Sequence, residues 1–228
     1  MTRAEIDEML ATLHAVLEKE TQMLKLYYAP NTCALASHIA LEEAGATYET
    51  VRLSFGTEDQ KKPEYLAINS KARVPSLVTD KGVLTETPAI LAFVAQSYPG
   101  ANLAPIADPF AFARAQAFNS YLCSTVHVAH AHRMRGTRWA DDPAAIREMQ
   151  RKAPAAVTEC FALIERGMIE GPWVMGEAFT ICDAYLFTLA QWLEGDGADL
   201  SRLPKILEHR RRVSERPAVK KAIAEEVG

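Results

Sequence analysis

Near Pro99-Gly100 the chain changes its period, and that change constrains the fold more than any single motif. Before it, short apolar runs alternate with helical stretches. "LKLYYA", "YETVRL", "VPSLV" and "GVLT" read as strands, and "CALASHIALEEAG", "PEYLAIN" and "TPAILAFVAQSY" as helices, with Gly45 a good helix stop. The order is βαβαββα over residues 23–100. After a Pro-punctuated connection, 101–110, the stretch 111–228 offers helical periodicity throughout and no strand of useful length. The expectation is an α/β domain followed by an all-α domain. Ahead of both, Ile6, Met9, Leu10, Leu13, Val16 and Leu17 mark one face of an amphipathic helix over 1–22. That extension docks on the body or on a second subunit, unless Met23 is the natural start.

With 228 residues, 49% of them hydrophobic, the chain has ample material for a sizeable core. A formal net charge of -4 gives no electrostatic reason to bind nucleic acid or an anionic membrane, so small-molecule or protein partners are expected. The four cysteines, Cys33, Cys123, Cys160 and Cys182, are irregularly spaced without a CxxC pair. This argues against a disulfide framework or a zinc site and for a reducing compartment. The start is acidic rather than basic-then-apolar, and no run approaches a membrane span; a cytoplasmic protein is expected.

Three local features carry chemistry. Cys33 sits at the start of the first helix, where unpaired N–H groups and the dipole lower a thiol pKa, although a small buried residue would suit the same turn. Val74-Pro75 begins a strand, and a cis bond there would aim the preceding backbone outward. In "TETPAI", Glu86 and Thr87 open a helix whose N–H groups can hold a carboxylate, with ordinary capping as the plainer reading.

Other stretches divide between function and structure. "HVAHAHRMRGTRWAD" puts His127, His130 and Met134 on one helix face with Arg133, Arg135, Arg138 and Trp139 beyond. It reads as an acceptor pocket for an aromatic or anionic substrate, or as a solvated basic face. His127 and His130 have no carboxylate or cysteine at helical spacing, so no metal site is expected. Thr180 and Asp183 in "FTICDAYLF" have capping-box spacing and read as folding residues. "HRRRVSER" reads as a solvated face.

Taken in order, the helix-start cysteine, "NSKARVPSL", "TETPAIL", "FTICDAYLF" and "ERPAVKKAI" resemble a cytosolic glutathione S-transferase, most closely the bacterial beta class, over roughly residues 23–225. The resemblance implies a thioredoxin-like glutathione-binding domain, an all-α substrate domain, and a homodimer pairing the first domain of one subunit with the α domain of the other. It implies a detoxifying transferase that conjugates glutathione, its co-substrate, to a small hydrophobic electrophile. Thiol transfer or disulfide reduction through Cys33 is a companion activity, and a non-catalytic glutathione- or hydrophobe-binding protein is the alternative.

Residue by residue, the resemblance places Cys33 and His127 at the glutathione sulfur, with Tyr28 in the preceding strand. Arg73, Val74 and Pro75 meet the cysteinyl and glycyl parts, and Glu86 and Thr87 the γ-glutamyl group. The sequence departs from the family in three places. Arg73 stands where glutamine is usual. Ser120 lies seven residues before His127 where asparagine is usual, with Asn119 one earlier and Ser124 a substitute. The family's loop lysine has no secure counterpart, leaving Lys61 and Lys62 unassigned.

Overall fold

The computed structural model describes residues 24–227, so the helix expected over 1–22 lies outside the described residues. Strand β1 (Leu24–Tyr28) is central, its alternate residues Leu24, Leu26 and Tyr28 turned into the core. It pairs in parallel with β2 (Tyr48–Arg52) and antiparallel with β3 (Ser76–Thr79), and β3 forms a hairpin with β4 (Gly82–Thr85). The sheet order is β2-β1-β3-β4. Helices α1 (Ala34–Glu43), α2 (Pro63–Leu66) and α3 (Thr87–Ser97) complete a thioredoxin-like βαβαββα unit.

Helix α1 is buried from Ala34 through Leu41, Ser37 and His38 included. An amphipathic surface helix would show one apolar stripe. Continuous burial arises because the sheet lies on one side and helices of the second half on the other.

Those helices are α4 (Pro109–Tyr121), a π-helical segment (Leu122–Val126), α5 (His127–Met134) and the long α6 (Pro143–Gly167). Next come α7 (Ile181–Ala190), the short α8 (Leu193–Asp196), α9 (Pro204–Ser214) and α10 (Pro217–Val227). Proline opens α4, α6, α9 and α10, where its missing N–H costs nothing. Asp108 caps α4 by accepting from the N–H groups of Phe110 and Ala111 at 2.9 and 3.1 Å.

Helix α7 is the axis of the helical half, with all ten residues buried. Its capping box is present as the spacing predicts: the Thr180 hydroxyl accepts from Cys182 N–H, and Asp183 accepts from Thr180 N–H at 2.7 Å. Asp183 also receives the Val174 N–H at 2.8 Å and His209 Nε2 at 2.9 Å. One carboxylate thus ties a helix start, a loop and α9 together.

The run His209–Arg216 is not the solvated face its charge suggests. His209 is buried on Asp183, Arg212 donates to the Pro172 carbonyl, and Arg216 makes a paired bond to Glu43 at 2.5 and 2.6 Å while covering the Phe179 ring. The reading fails because the partners lie 26 to 173 residues away and leave no mark in the local charge pattern.

Candidate active site

A cavity of about 480 Å³ opens where the thioredoxin-like unit meets α5 and α7. That volume lies within the range of small-molecule sites. Cys33, Arg73, Val74, Pro75, Glu86, Thr87 and His127 all line it.

The floor is built by loops at one end of the sheet. The chain turns out of β1 through Asn31 at φ 59°, with the Thr32 hydroxyl bonded to the Ala29 carbonyl at 2.7 Å. It delivers Cys33 to the start of α1, half-buried, its Sγ 3.6 Å from the Val74 carbonyl oxygen. The Val74-Pro75 bond is cis. The Arg73 carbonyl before it accepts from Tyr65 Oη at 2.6 Å and Asn69 Nδ2 at 2.8 Å. Tyr65 and Asn69 also reach the Ser76 hydroxyl, so both ends of the 73–75 segment are pinned. This bracing explains why "NSKARVPSL" works as one motif.

Glu86 enters α3 at φ 69°, a conformation costly for a residue with a Cβ and typical of functional positions. Lys71 Nζ donates to both the Glu86 carboxylate and the Thr85 hydroxyl. Lys61 and Lys62 instead pair with Glu58 and Asp59, away from the cavity.

The opposite wall comes from α5, the turn after it, and Trp192. The His130 ring stacks on Trp192 at 4.2 Å, His127 lies 5.2 Å from the same indole, and His130 Nδ1 is 2.8 Å from buried Asp196. The 3-10 turn Gly136–Arg138 after α5 brings Arg135, Arg138 and Trp139 to the cavity. Gly136 packs closely against α6 there: a Cβ would meet Ile146 Cγ2 at 3.0 Å and press that side chain to shift. Met134 is 65% exposed and does not line the cavity.

Two expectations are corrected. Tyr28 is not part of the cavity: it points into the core, where its hydroxyl donates to the Glu225 carbonyl of α10 at 3.3 Å and its ring packs near His38. The alternation of β1 turns Tyr28 inward with Leu24 and Leu26. Cys33 is the second. Burial pushes its thiol pKa up, and the Thr87 hydroxyl and the Arg135 charge offset only part of that. Desolvation therefore outweighs the helix N-terminus.

His127 moves the other way. Burial, then the neighbouring His130, Arg135, Arg138 and Arg73, push its pKa down to about 4, so the imidazole is neutral at physiological pH. The departure at Asn119 also has a geometric account. Asn119 is buried and lies eight residues before His127, and the intervening π-helical segment takes up one extra residue in its wider turn. Ser124 is exposed and, among the described residues, bonds only to the Ser120 carbonyl of its own helical stretch.

Sequence reasoning missed Asn31, Phe55, Gln60, Cys123, Tyr185 and Trp192, which also line the cavity. They come from several loops and helices, and no local pattern joins them.

Two family models match the chain. Glutathione S-transferase, N-terminal domain, covers residues 22–96 and Glutathione S-transferase, C-terminal domain, residues 134–226. The crystal structure of a glutathione transferase homologue from Sulfitobacter, with bound glutathione, is 43% identical with a TM-score of 0.85, over 89% of this chain and 98% of that one. The bacterial beta class glutathione S-transferase of Sphingomonas chungbukensis is 30% identical at a TM-score of 0.78, over 89% and 98%. Glutathione S-transferase GstA of Escherichia coli O157:H7 is 29% identical over 205 residues, 89% of this chain and 98% of that protein.

Proposed function

The chain belongs to the glutathione S-transferase family, and on that premise we propose that its cavity holds glutathione against Cys33 and His127 and conjugates it to a small electrophile. One observation carries the assignment of residues: Cys33, the Arg73-Val74-Pro75 segment, Glu86, Thr87 and His127 meet in a single cavity though they come from separate stretches of chain.

The lining suits a tripeptide with two carboxylates and an ammonium. Arg73 offers a guanidinium fork to the glycyl carboxylate, and the backbone of Val74 faces the cysteinyl unit. The Glu86 carboxylate meets the ammonium, and the start of α3 at Thr87 receives the γ-glutamyl carboxylate. Glutathione supplies the nucleophilic sulfur. The chain's work is to favour its anionic form: Cys33, its single S–H turned from the Val74 carbonyl to the bound sulfur, and neutral His127 donate hydrogen bonds, and Arg135 adds charge. A thiol with a raised pKa is a better donor than nucleophile at neutral pH, so conjugation is the principal activity and disulfide exchange through Cys33 the secondary one.

The working form we propose is a cytoplasmic homodimer. Phe110 of α4 is 76% exposed, an apolar surface that a second subunit would cover, and sedimentation tests this. Among the described residues no helix is long and apolar enough to cross a membrane.

The experiment is conjugation of an aromatic halide beside reduction of a glutathione mixed disulfide, for the natural chain and Cys33→Ala. Conjugation is expected to survive at reduced rate while disulfide reduction is lost. Glutathione binding with neither activity would overturn the enzyme reading in favour of a binding protein.

A further inference from the structure

We propose that the acceptor half of the cavity takes an anionic electrophile, a planar unsaturated or aromatic compound bearing a carboxylate, which Arg135 and Arg138 hold beside Trp139. The proposal rests on the reading of the same cavity as a glutathione site, and names the class of its second substrate.

Charge is the first ground. Three guanidiniums line the cavity, those of Arg73, Arg135 and Arg138, against the single carboxylate of Glu86, leaving two positive charges over in a chain of formal charge -4. Lys71 already engages Glu86. Among the described residues none of the three guanidiniums forms an ion pair, whereas neighbouring Arg133 lies 3.7 Å from Asp196. Arg135 is half-buried while Arg73 and Arg138 are exposed, and the mutual repulsion of three like charges around one cavity is relieved by an anion between them. The lowered proton affinities of Arg138 and His127, each owed first to burial and then to charges including Arg135 and Arg73, report the same crowding.

Shape is the second ground. The turn packs closely on α6 at Gly136, and this places the backbone from which Arg135 and Arg138 reach the cavity. Around them Trp139, 47% exposed, together with Trp192 and the paired histidine rings, presents flat faces suited to a conjugated body. Arg73 lies with the cis-proline segment on the opposite wall, where the glycyl end of glutathione accounts for it. That leaves Arg138 for the acceptor, with Arg135 serving both the acceptor and the glutathione sulfur.

The test compares 4-chloro-3-nitrobenzoate with its neutral isostere 4-chloro-3-nitrobenzamide. In both, the glutathione sulfur forms a bond to the chlorine-bearing ring carbon, the C–Cl bond breaks, and chloride leaves. After division by the uncatalysed rates, the acid is expected to exceed the amide in kcat/KM. In Arg138→Gln that ratio should fall at least tenfold, with partial recovery in Arg138→Lys and the KM for glutathione little moved. Calorimetric binding of the two glutathione conjugates gives the same comparison without turnover. Tighter binding of the acid conjugate, lost in Arg138→Gln, supports the anion site even if neither compound is turned over, an outcome that would sink the conjugation reading alone. Equal binding of acid and amide conjugates overturns the proposal. So does an Arg138→Gln variant in which glutathione affinity and both substrates fall together, since the guanidinium would then serve the glutathione sulfur.

Discussion

Cys33 Sγ and the carbonyl oxygen of Val74 lie 3.6 Å apart, joining the start of α1 to the cis-proline segment 41 residues away. A thiol that donates to a carbonyl is stabilised in its protonated form, in the same direction as its burial. Alkylation of Cys33, followed by mass spectrometry of its own peptide, should therefore show a pH midpoint above that of a free cysteine thiol. Arg135→Gln should raise the midpoint further, because Arg135 is one of the groups that lower it. A midpoint below about 8 would contradict this reading, since it would require the helix start to outweigh desolvation.

His127 leads to a statement about acid stability. In the fold its pKa is pushed down to about 4, against 6.5 for an unperturbed imidazole. Between those values the unfolded chain binds a proton that the folded chain refuses, so this group favours unfolding as pH falls from 6.5 towards 4 and contributes nothing to the pH dependence above that window. Urea unfolding at pH 7.5 and pH 5 should show the natural chain losing about 1–2 kcal/mol more than His127→Gln over that interval. Equal losses would mean that the ring is not desolvated.

The Asp183 hub separates folding from chemistry. Thr180→Ala should lower stability by about 1 kcal/mol, as for the loss of a helix cap. Asp183→Ala should cost about 3–5 kcal/mol, because it strips partners from buried His209, Thr180 and Val174 at once. Thermal unfolding measures both. If Thr180→Ala shifted the KM for glutathione without lowering the melting temperature, the structural assignment would be wrong.

How much was legible in the chain depends on how local each signal was. The strand and helix order and the capping box rest on residues within a few positions of one another, and reasoning from period and spacing recovers them, while the cis bond at Val74-Pro75 was open from the residues alone and came with the family resemblance. The site residues of the thioredoxin-like half came through family motifs, and all but Tyr28 line one cavity. What could not be read depends on distant partners. The helix-dipole argument for Cys33 needed the degree of burial, which is set by α7 and its neighbours. The "solvated" basic run needed Asp183 and Glu43, and His130 needed Asp196, 66 residues on. The π-helical segment that offsets the displaced Asn119 has no composition signature of its own.

Tyr28 and Arg73 were both placed at the glutathione site by resemblance, and the structure separates them. Tyr28 is 4% exposed, with its hydroxyl on the Glu225 carbonyl, and α10 is further held to α1 by His38 Nε2 at 3.0 Å from Glu225 and by Lys221 Nζ at 2.9 Å from Glu42. Tyr28→Phe removes one of several ties and should cost about 0.5–1.5 kcal/mol while leaving the KM for glutathione within about twofold. Arg73→Gln removes a guanidinium fork from the cavity wall and should leave stability nearly unchanged while raising that KM about three- to tenfold, the worth of a charge-assisted bond over a neutral one. Measured together, the pair distinguishes a brace from a ligand-binding group. If the two variants exchanged behaviours, the inward reading of β1 at Tyr28 and the assignment of Arg73 to the glycyl carboxylate would fall together.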